Sequence, residues 1–357
     1  MTLCLVMIVK NEEHVITRSL QSTLPYVDTW CIIDTGSTDK TMDIIRSVTK
    51  ASGKEGKLYE RPWTNFGYNR TEALALARPM ASWSFMIDAD DIAVFPAKLP
   101  PFPAVQGCTV LIKVGNIQTY RTHFFNNTYP WSFSGVVHEV PDLEGKQPII
   151  SAVPDNYYVN ARSEGSRSRD PGRFEKDALL LEDDLLKNPG NTRSMFYAAQ
   201  SWRDCGNREK AIQWYEKRAS SAGWSEEVYI SLLNLIHLNE NINIKFIYAW
   251  RAIDVLPGRL ETTHALLKTL REHSLWSTQA YVLGLTASKL RGEVQEGTLF
   301  AEHDVYNYQF DDEFAVQAFY TNHPEDCMKA SLRALEKAPL SDQARIKNNY
   351  EFSKSKI

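Results

Sequence analysis

No CxxC pair occurs in the chain, and its five cysteines, Cys4, Cys31, Cys108, Cys205 and Cys327, are odd in number and widely scattered. That pattern excludes a disulfide framework and a zinc ribbon and reads as reduced, mostly buried thiols. No apolar run approaches the ~18 residues that a membrane-crossing helix needs. The apolar start, MTLCLVMIV, has no basic stretch before it and no small-residue cleavage site, so it reads as a buried first strand, not a secretion signal. Basic charge is not in excess either: 40 Lys and Arg stand against 44 Asp and Glu, a net −4, which argues against a general nucleic-acid binder. The turn DTGSTD lacks the GxGxxG spacing of dinucleotide binders, which disfavours a dehydrogenase. These absences point to a soluble protein of a reducing compartment, the cytoplasm, with no membrane span and no nucleic-acid partner.

What remains is ordinary globular material: 357 residues, 43% hydrophobic and 24% charged, long enough for two domains. Up to about residue 160, short apolar runs alternate with amphipathic stretches. LCLVMIV (3–9), TWCIID (29–34), GKLYERPW (56–63) and WSFMIDADD (83–91) read as strands. Residues 14–24, 40–48 and 68–80 read as helices, the second capped by Thr38 or Asp39 and the third stopped near Pro79. This β-α-β order predicts an α/β fold, a Rossmann-like and mostly parallel sheet with helices on both faces. In such sheets ligands bind beyond the carboxyl ends of the strands. The polar clusters KNEE, DTGSTD and DADD all fall at such ends.

From RFEKDALLLEDDLL (173–186) onward the chain reads as helical. Pro189, Gly223 and Pro257 are spaced by 34 residues, the tetratricopeptide period. Residues 193–219 fit that repeat best, through Ala198, Trp202, Gly206, Ala211, Tyr215 and Ala219, and 311–340 reads as a further helix pair. The expected domains are therefore 1–165 and an all-α repeat domain over 166–357, joined at the polar stretch ARSEGSRSRDPG.

The acids Asp88, Asp90 and Asp91 follow a strand expected at the centre of the sheet. Carboxylates there suit a hard divalent cation, Mn²⁺ or Mg²⁺, which bridges them to substrate phosphates and neutralises a departing diphosphate. An isolated DxD is otherwise a solvated turn, and the strand context favours the metal. KNEE alone would be no more than a helix start with Asn11 as its cap. In DTGSTD, Asp34 stands at a strand tip where it can accept from a base N–H or a ribose hydroxyl, and Gly36 lets the backbone come close.

MIVKNEE, IIDTGSTDKT, NFGYNR and IDADD, in this order and spacing, resemble a family-two glycosyltransferase of the GT-A fold. The resemblance covers about residues 1–165, and the helical remainder is similar to the tetratricopeptide-type tails of some such enzymes. It implies transfer of a sugar from a nucleotide diphosphate sugar, a UDP-sugar by default, to a glycan or protein acceptor, with inversion and a divalent metal. It also implies roles. Val9, Lys10, Asn11, Glu12 and Asp34 line the base and ribose; Asn69 and Arg70 approach the nucleotide or sugar, in an order reversed from many relatives. Asp88 takes the ribose or sugar side and a share of the metal, Asp90 binds the metal, and Asp91 holds sugar hydroxyls.

The segment WSFSGVVHEV (131–140) is similar to one that follows the acids in these relatives. Inversion needs a base opposite the leaving group. Glu139 supplies one, with His138 orienting it, binding metal or acting as the base itself. Asn160 stands where relatives often carry a metal-binding His. Arg167, with Arg162 and Arg169, lies on a loop that either closes over the diphosphate or is a solvated linker. The helical half would dock the acceptor or mediate self-association. The alternative is a repeat scaffold whose transferase-like half only binds a nucleotide sugar.

Overall fold

The run LCLVMIV forms β1 (Leu3–Val9), which is covered on both faces. Leu3, Leu5, Met7 and Val9 enter one hydrophobic core, while Cys4 and Val6 enter a second on the opposite side. That is the two-residue alternation of a strand sandwiched between layers, and it explains an apolar run without polar interruptions. The computed structural model describes residues 1–115, 117–295 and 298–357. Its packing divides the chain into two units, Met1–Leu181 and Glu182–Ile357.

In unit 1, β1 is followed by α1 (Ile16–Thr23), β2 (Thr29–Asp34), α2 (Thr41–Ser52), β3 (Gly56–Glu60), α3 (Phe66–Ala77) and β4 (Trp83–Met86). The four strands are parallel in the order β3-β2-β1-β4. Helices α1 and α2 cover one face through Ile16, Leu20 and Ile45; α3 covers the other through Ala73, Leu74 and Ala77. Asn65 caps α3 by accepting from the Tyr68 amide at 2.8 Å, so the helix starts before the expected residue 68. Gly53, in the left-handed conformation, ends α2.

The sheet then continues through a mixed half that the periodicity did not reveal. It comprises β5 (Ile92–Val94), β6 (Gly107–Val114), β7 (Ile117–Asn126), β10 (Ile150–Ala152) and β11 (Tyr158–Asn160). Strand β7 pairs antiparallel with β4 and β6, bringing the sheet to nine strands. A separate hairpin of β8 (Ser132–Ser134) and β9 (Val140–Asp142) lies beside α3. Helix α4 (Arg173–Lys187) contains the division between the units. The loop before it belongs to unit 1, because its backbone is hydrogen-bonded to residues of that unit as set out below.

Unit 2 is all helical: α5 (Thr192–Asp204), α6 (Arg208–Ala219), α7 (Ser225–Leu238), α8 (Ile242–Val255), α9 (Glu261–Glu272), α10 (Thr278–Leu290), α11 (Phe310–Tyr320), α12 (Pro324–Lys337) and α13 (Leu340–Lys354). Pairs α5/α6, α7/α8 and α9/α10 carry the 34-residue period, and the expected pair over 311–340 is α11/α12. Each helix from α5 to α9 packs on the next, and α7 also touches α5 and α9, so the apolar face one pair cannot bury is covered by its neighbour. No helix among the described residues is long and apolar enough to cross a membrane. The cysteines are free thiols, with Cys205 alone exposed.

Candidate active site

Register brings the strand tips to one edge. Val9 pairs with Asp34, Asp34 with Glu60, and Val6 with Met86. The loops beyond are stitched together. Asn11, at φ +57°, donates its amide to Ser37 Oγ at 2.9 Å and accepts from the Thr38 amide at 2.7 Å. The Glu12 amide donates to Thr41 Oγ1 at 2.7 Å. Asp34 Oδ2 accepts from the amides of Gly36 and Ser37 at 3.0 and 2.9 Å, and Gly36, at φ +100°, makes that turn possible. Asp34 Oδ1 is buried with no partner. An orphaned buried acceptor is costly, and a donor from a nucleoside base or ribose would satisfy it.

Beyond β4 the acids meet one arginine. Arg70 reaches Asp88 Oδ1 at 2.5 Å with Nη2 and lies 2.7 Å from Glu139 Oε1 with Nε, an ion pair whose alignment is too poor for a hydrogen bond. Its side chain is 15% exposed and that of Glu139 12%, so these charges are only weakly screened. Burial works to raise Asp88, yet the charges of Arg70, His123 and Arg121, with the Arg70 hydrogen bond, together outweigh it and hold the carboxylate below its usual range. Burial raises Glu139, with Arg70 opposing. Thr71 Oγ1 accepts from the Phe133 amide at 2.8 Å and Val136 O accepts from the Phe66 amide at 3.1 Å, tying α3 to the segment that carries Glu139. Gly67 allows the close approach: a Cβ there would meet Gly135 O at 2.2 Å. Gly67→Ala should therefore cost about 1–3 kcal/mol in urea unfolding by forcing the two segments apart.

The loop 161–170 is folded onto the acids. The Arg162 amide donates to Asp91 Oδ1 at 3.0 Å. The amides of Glu164 and Gly165 donate to Asp90 Oδ2 at 3.1 and 2.9 Å. Ser166 donates its amide to Glu12 at 3.2 Å and its hydroxyl to Lys10 O at 2.8 Å. Gly165 is the point of closest approach, since a Cβ would lie 3.1 Å from Asp90 Oδ2 and 3.2 Å from Glu12 Oε1. Arg167 stacks over Phe66, 4.3 Å from the ring centre, and pairs with Asp177 at 2.5 Å. Burial raises Glu12 and Asp90, the neighbouring carboxylates adding to it.

Asp91, 7% exposed, is pushed up to about 8 by burial and by the Asp88 charge, so it is largely protonated at neutral pH. A carboxyl raised above its unfolded value contributes stability that is present in acid and lost as pH climbs towards 8. In protein free of divalent metal, Asp91→Asn should raise the melting temperature by about 3 °C or more at pH 8 and by much less at pH 5.

The structure thus brings together Lys10, Asn11, Glu12, Asp34, Gly36, Arg70, Asp88, Asp90, Asp91, Glu139 and Arg167 at one edge of unit 1. Two residues expected at the nucleotide have their side chains engaged within the fold. Asn69 is fully buried, accepting from the Thr64 amide at 3.0 Å and donating to Pro62 O at 3.1 Å, so its amide closes the 62–69 turn. The Val9 side chain belongs to the core and its carbonyl accepts from Thr35 N and Oγ1. His138 is exposed at the β8–β9 turn in a left-handed conformation, φ +52°. No three His, Cys, Asp or Glu side chains among the described residues form a metal-holding group.

Sequence reading missed the backbone donors of 162–166, which carry no side-chain signature. It also missed His123, whose Nδ1 stands 2.6 Å from Met86 O. Phe85 pairs with Phe124, so the adjacent His123 falls beside the tip of β4, and burial lowers it to about 4.

The donor set fits a hard divalent cation in the manner of two carboxylates plus substrate phosphates rather than an all-protein cage. Asp88, Asp90 and Asp91 crowd each other, and their mutual repulsion adds to the raised values of Asp90 and Asp91, a deficit of positive charge that a cation would relieve.

Residues 4–103 match the model of the Glycosyl transferase family 2. The SPbeta prophage-derived glycosyltransferase SunS of Bacillus subtilis (strain 168) and the glycosyltransferase SunS of Bacillus phage SPbeta are each 24% identical over 231 residues, 59% of this chain and 51% of theirs. The chain therefore spans about half the length of the curated relatives it matches. Among solved structures, S. aureus TarS 1–349 in complex with UDP-GlcNAc is 13% identical with a TM-score of 0.38, over 77% of this chain and 93% of that one. MamA is 15% identical with a TM-score of 0.36, over 50% of this chain and 95% of that one.

Proposed function

We propose that the chain, whose residues 4–103 carry a glycosyl transferase family 2 domain, moves a sugar from a nucleotide diphosphate sugar to a hydroxyl of a glycan or protein acceptor, with inversion. The observation that carries this reading is Arg70, which ties Asp88 at the sheet edge to Glu139 on the neighbouring segment. One guanidinium thereby relates the acids on the donor side to a candidate base at a fixed distance.

In this mechanism Asp34 accepts from the base or ribose through its unpaired oxygen. Asp88 and Asp90 would hold Mn²⁺ or Mg²⁺ together with the diphosphate, and the metal would neutralise the charge of the leaving group. Asp91 would hold a sugar hydroxyl. Glu139 takes the proton of the attacking hydroxyl, its raised affinity for protons making it a stronger base than an ordinary glutamate. Arg70 keeps that carboxylate oriented. Arg167, already beside the site on Phe66, supplies a further positive charge. Uridine is the nucleotide that the resemblance implies.

The test is a thermal-shift screen of nucleotide sugars with and without Mn²⁺, followed by donor hydrolysis, because a ligand that binds the folded state raises its melting point. One nucleotide sugar should stabilise the protein in a metal-dependent way and be slowly hydrolysed. Stabilisation without hydrolysis or transfer would favour the scaffold reading.

A further inference from the structure

Strand β7 carries a side chain to which the mechanism gives no role. Thr122 pairs with Thr109 and Phe124 with Cys108, which leaves His123 as the unpaired residue of a β-bulge. A bulge takes one side chain out of the strand's alternation and re-aims it, and bulges recur beside active sites. Here the imidazole turns towards β4: its Nδ1 lies 2.6 Å from Met86 O and its ring centre 6.4 Å from that of Phe85. Met86 is the last residue of β4, two positions before Asp88.

That bond fixes the tautomer. A carbonyl oxygen can only accept, so Nδ1 carries the hydrogen, and Nε2 of the neutral ring keeps its lone pair. At pH 8 an imidazole of ordinary proton affinity is already neutral. Burial lowers this one further, to about 4, with Asp88 opposing and Arg70 and Arg121 assisting. Nε2 has no partner among the described residues, yet it is not sealed off as Asp34 Oδ1 is, and His123 is partly exposed.

The sheet order β2-β1-β4-β7 ranks the parts of a donor. Asp34 ends β2, Asn11 and Glu12 follow β1, Asp88 to Asp91 follow β4, and His123 stands one strand further. At about 4.8 Å per strand, β7 lies about 14 Å from β2. A donor with its base at Asp34 and its diphosphate at the acids therefore extends its sugar towards His123. Ionised phosphate oxygens have no hydrogen to give to a lone pair, whereas sugar hydroxyls do.

We propose that Nε2 of His123 accepts a hydrogen bond from a hydroxyl of the sugar being transferred, and so helps to select the donor sugar. The inference rests on the transferase reading and adds to it a residue that reads the sugar and not the nucleotide.

The test is calorimetric titration at pH 8 with Mn²⁺, comparing UDP with UDP-glucose, UDP-galactose and UDP-N-acetylglucosamine. Asparagine can place an amide N–H where Nδ1 stands and has no atom where Nε2 stands, so His123→Asn keeps a donor for Met86 O and loses the acceptor. It should bind UDP within about twofold of the unchanged protein, and the best-bound UDP-sugar about tenfold more weakly. A second measurement needs no variant. With ¹⁵N-labelled histidine and Mg²⁺, the Nε2 resonance of His123 should move further with that UDP-sugar than with UDP. Equal losses for UDP and UDP-sugar would make His123 a prop for the acid loop. That result, undiminished UDP-sugar binding by His123→Asn, or an Nε2 resonance that responds alike to both ligands would each overturn the proposal. Failure of the unchanged protein to bind any of these nucleotides would instead overturn the uridine-donor reading on which it stands.

Discussion

Glu139→Gln will leave nucleotide-sugar binding within a few-fold of the unchanged protein and lower sugar transfer by about 10³-fold, within the range a positioned general base supplies. The amide keeps the shape of the side chain, but it loses the charge that faces Arg70 and cannot take a proton. The expected signature is a loss in kcat with donor affinity retained. In the unchanged enzyme the acid limb of kcat/KM should lie above the ordinary glutamate range, because burial raises Glu139 more than Arg70 lowers it. Activity should therefore be lost as pH falls through that raised value. Transfer by Glu139→Gln at the normal rate would remove Glu139 as the base and leave Arg70 joining two structural acids.

Asp90→Ala is expected to abolish Mn²⁺-dependent donor hydrolysis, a fall of about 10²-fold or more, since an ion that offsets phosphate charge supplies several kcal/mol to the transition state. The same change removes the acceptor of two backbone bonds, from Glu164 and Gly165. Trypsin should then cleave faster at Arg162 and Arg167, the peptide bonds nearest those amides. The two readouts separate the roles: normal hydrolysis with faster cleavage would make Asp90 a fastener for the loop and nothing more.

Much of unit 1 could be read along the chain. The uninterrupted apolar run 3–9 and its neighbours declare strands covered on both faces, and the polar clusters after them declare the functional edge, because a parallel sheet puts all its carboxyl ends together. The 34-residue spacing likewise declares helix pairs that must stack. Part of the mixed half of the sheet could not be read: β5, β10 and β11, like β8 and β9 of the separate hairpin, are three residues each, too short for a periodic pattern, and their pairing is decided by long-range contact. Asn69 and Arg70 are adjacent letters with opposite fates, one sealed in a turn and one joining Asp88 to Glu139, because consecutive residues of a helix face different directions.

The sequence by itself determined the two architectures, the edge at which the acids cluster and the kind of chemistry they suit, since these follow from local periodicity and residue type. Only the tertiary structure decided that Arg70 bridges two acids distant in the chain and that the amides of Arg162, Glu164 and Gly165 lie on Asp91 and Asp90. Those facts depend on distances between segments separated by tens of residues, and charge interactions are governed by distance and burial, which no linear pattern records.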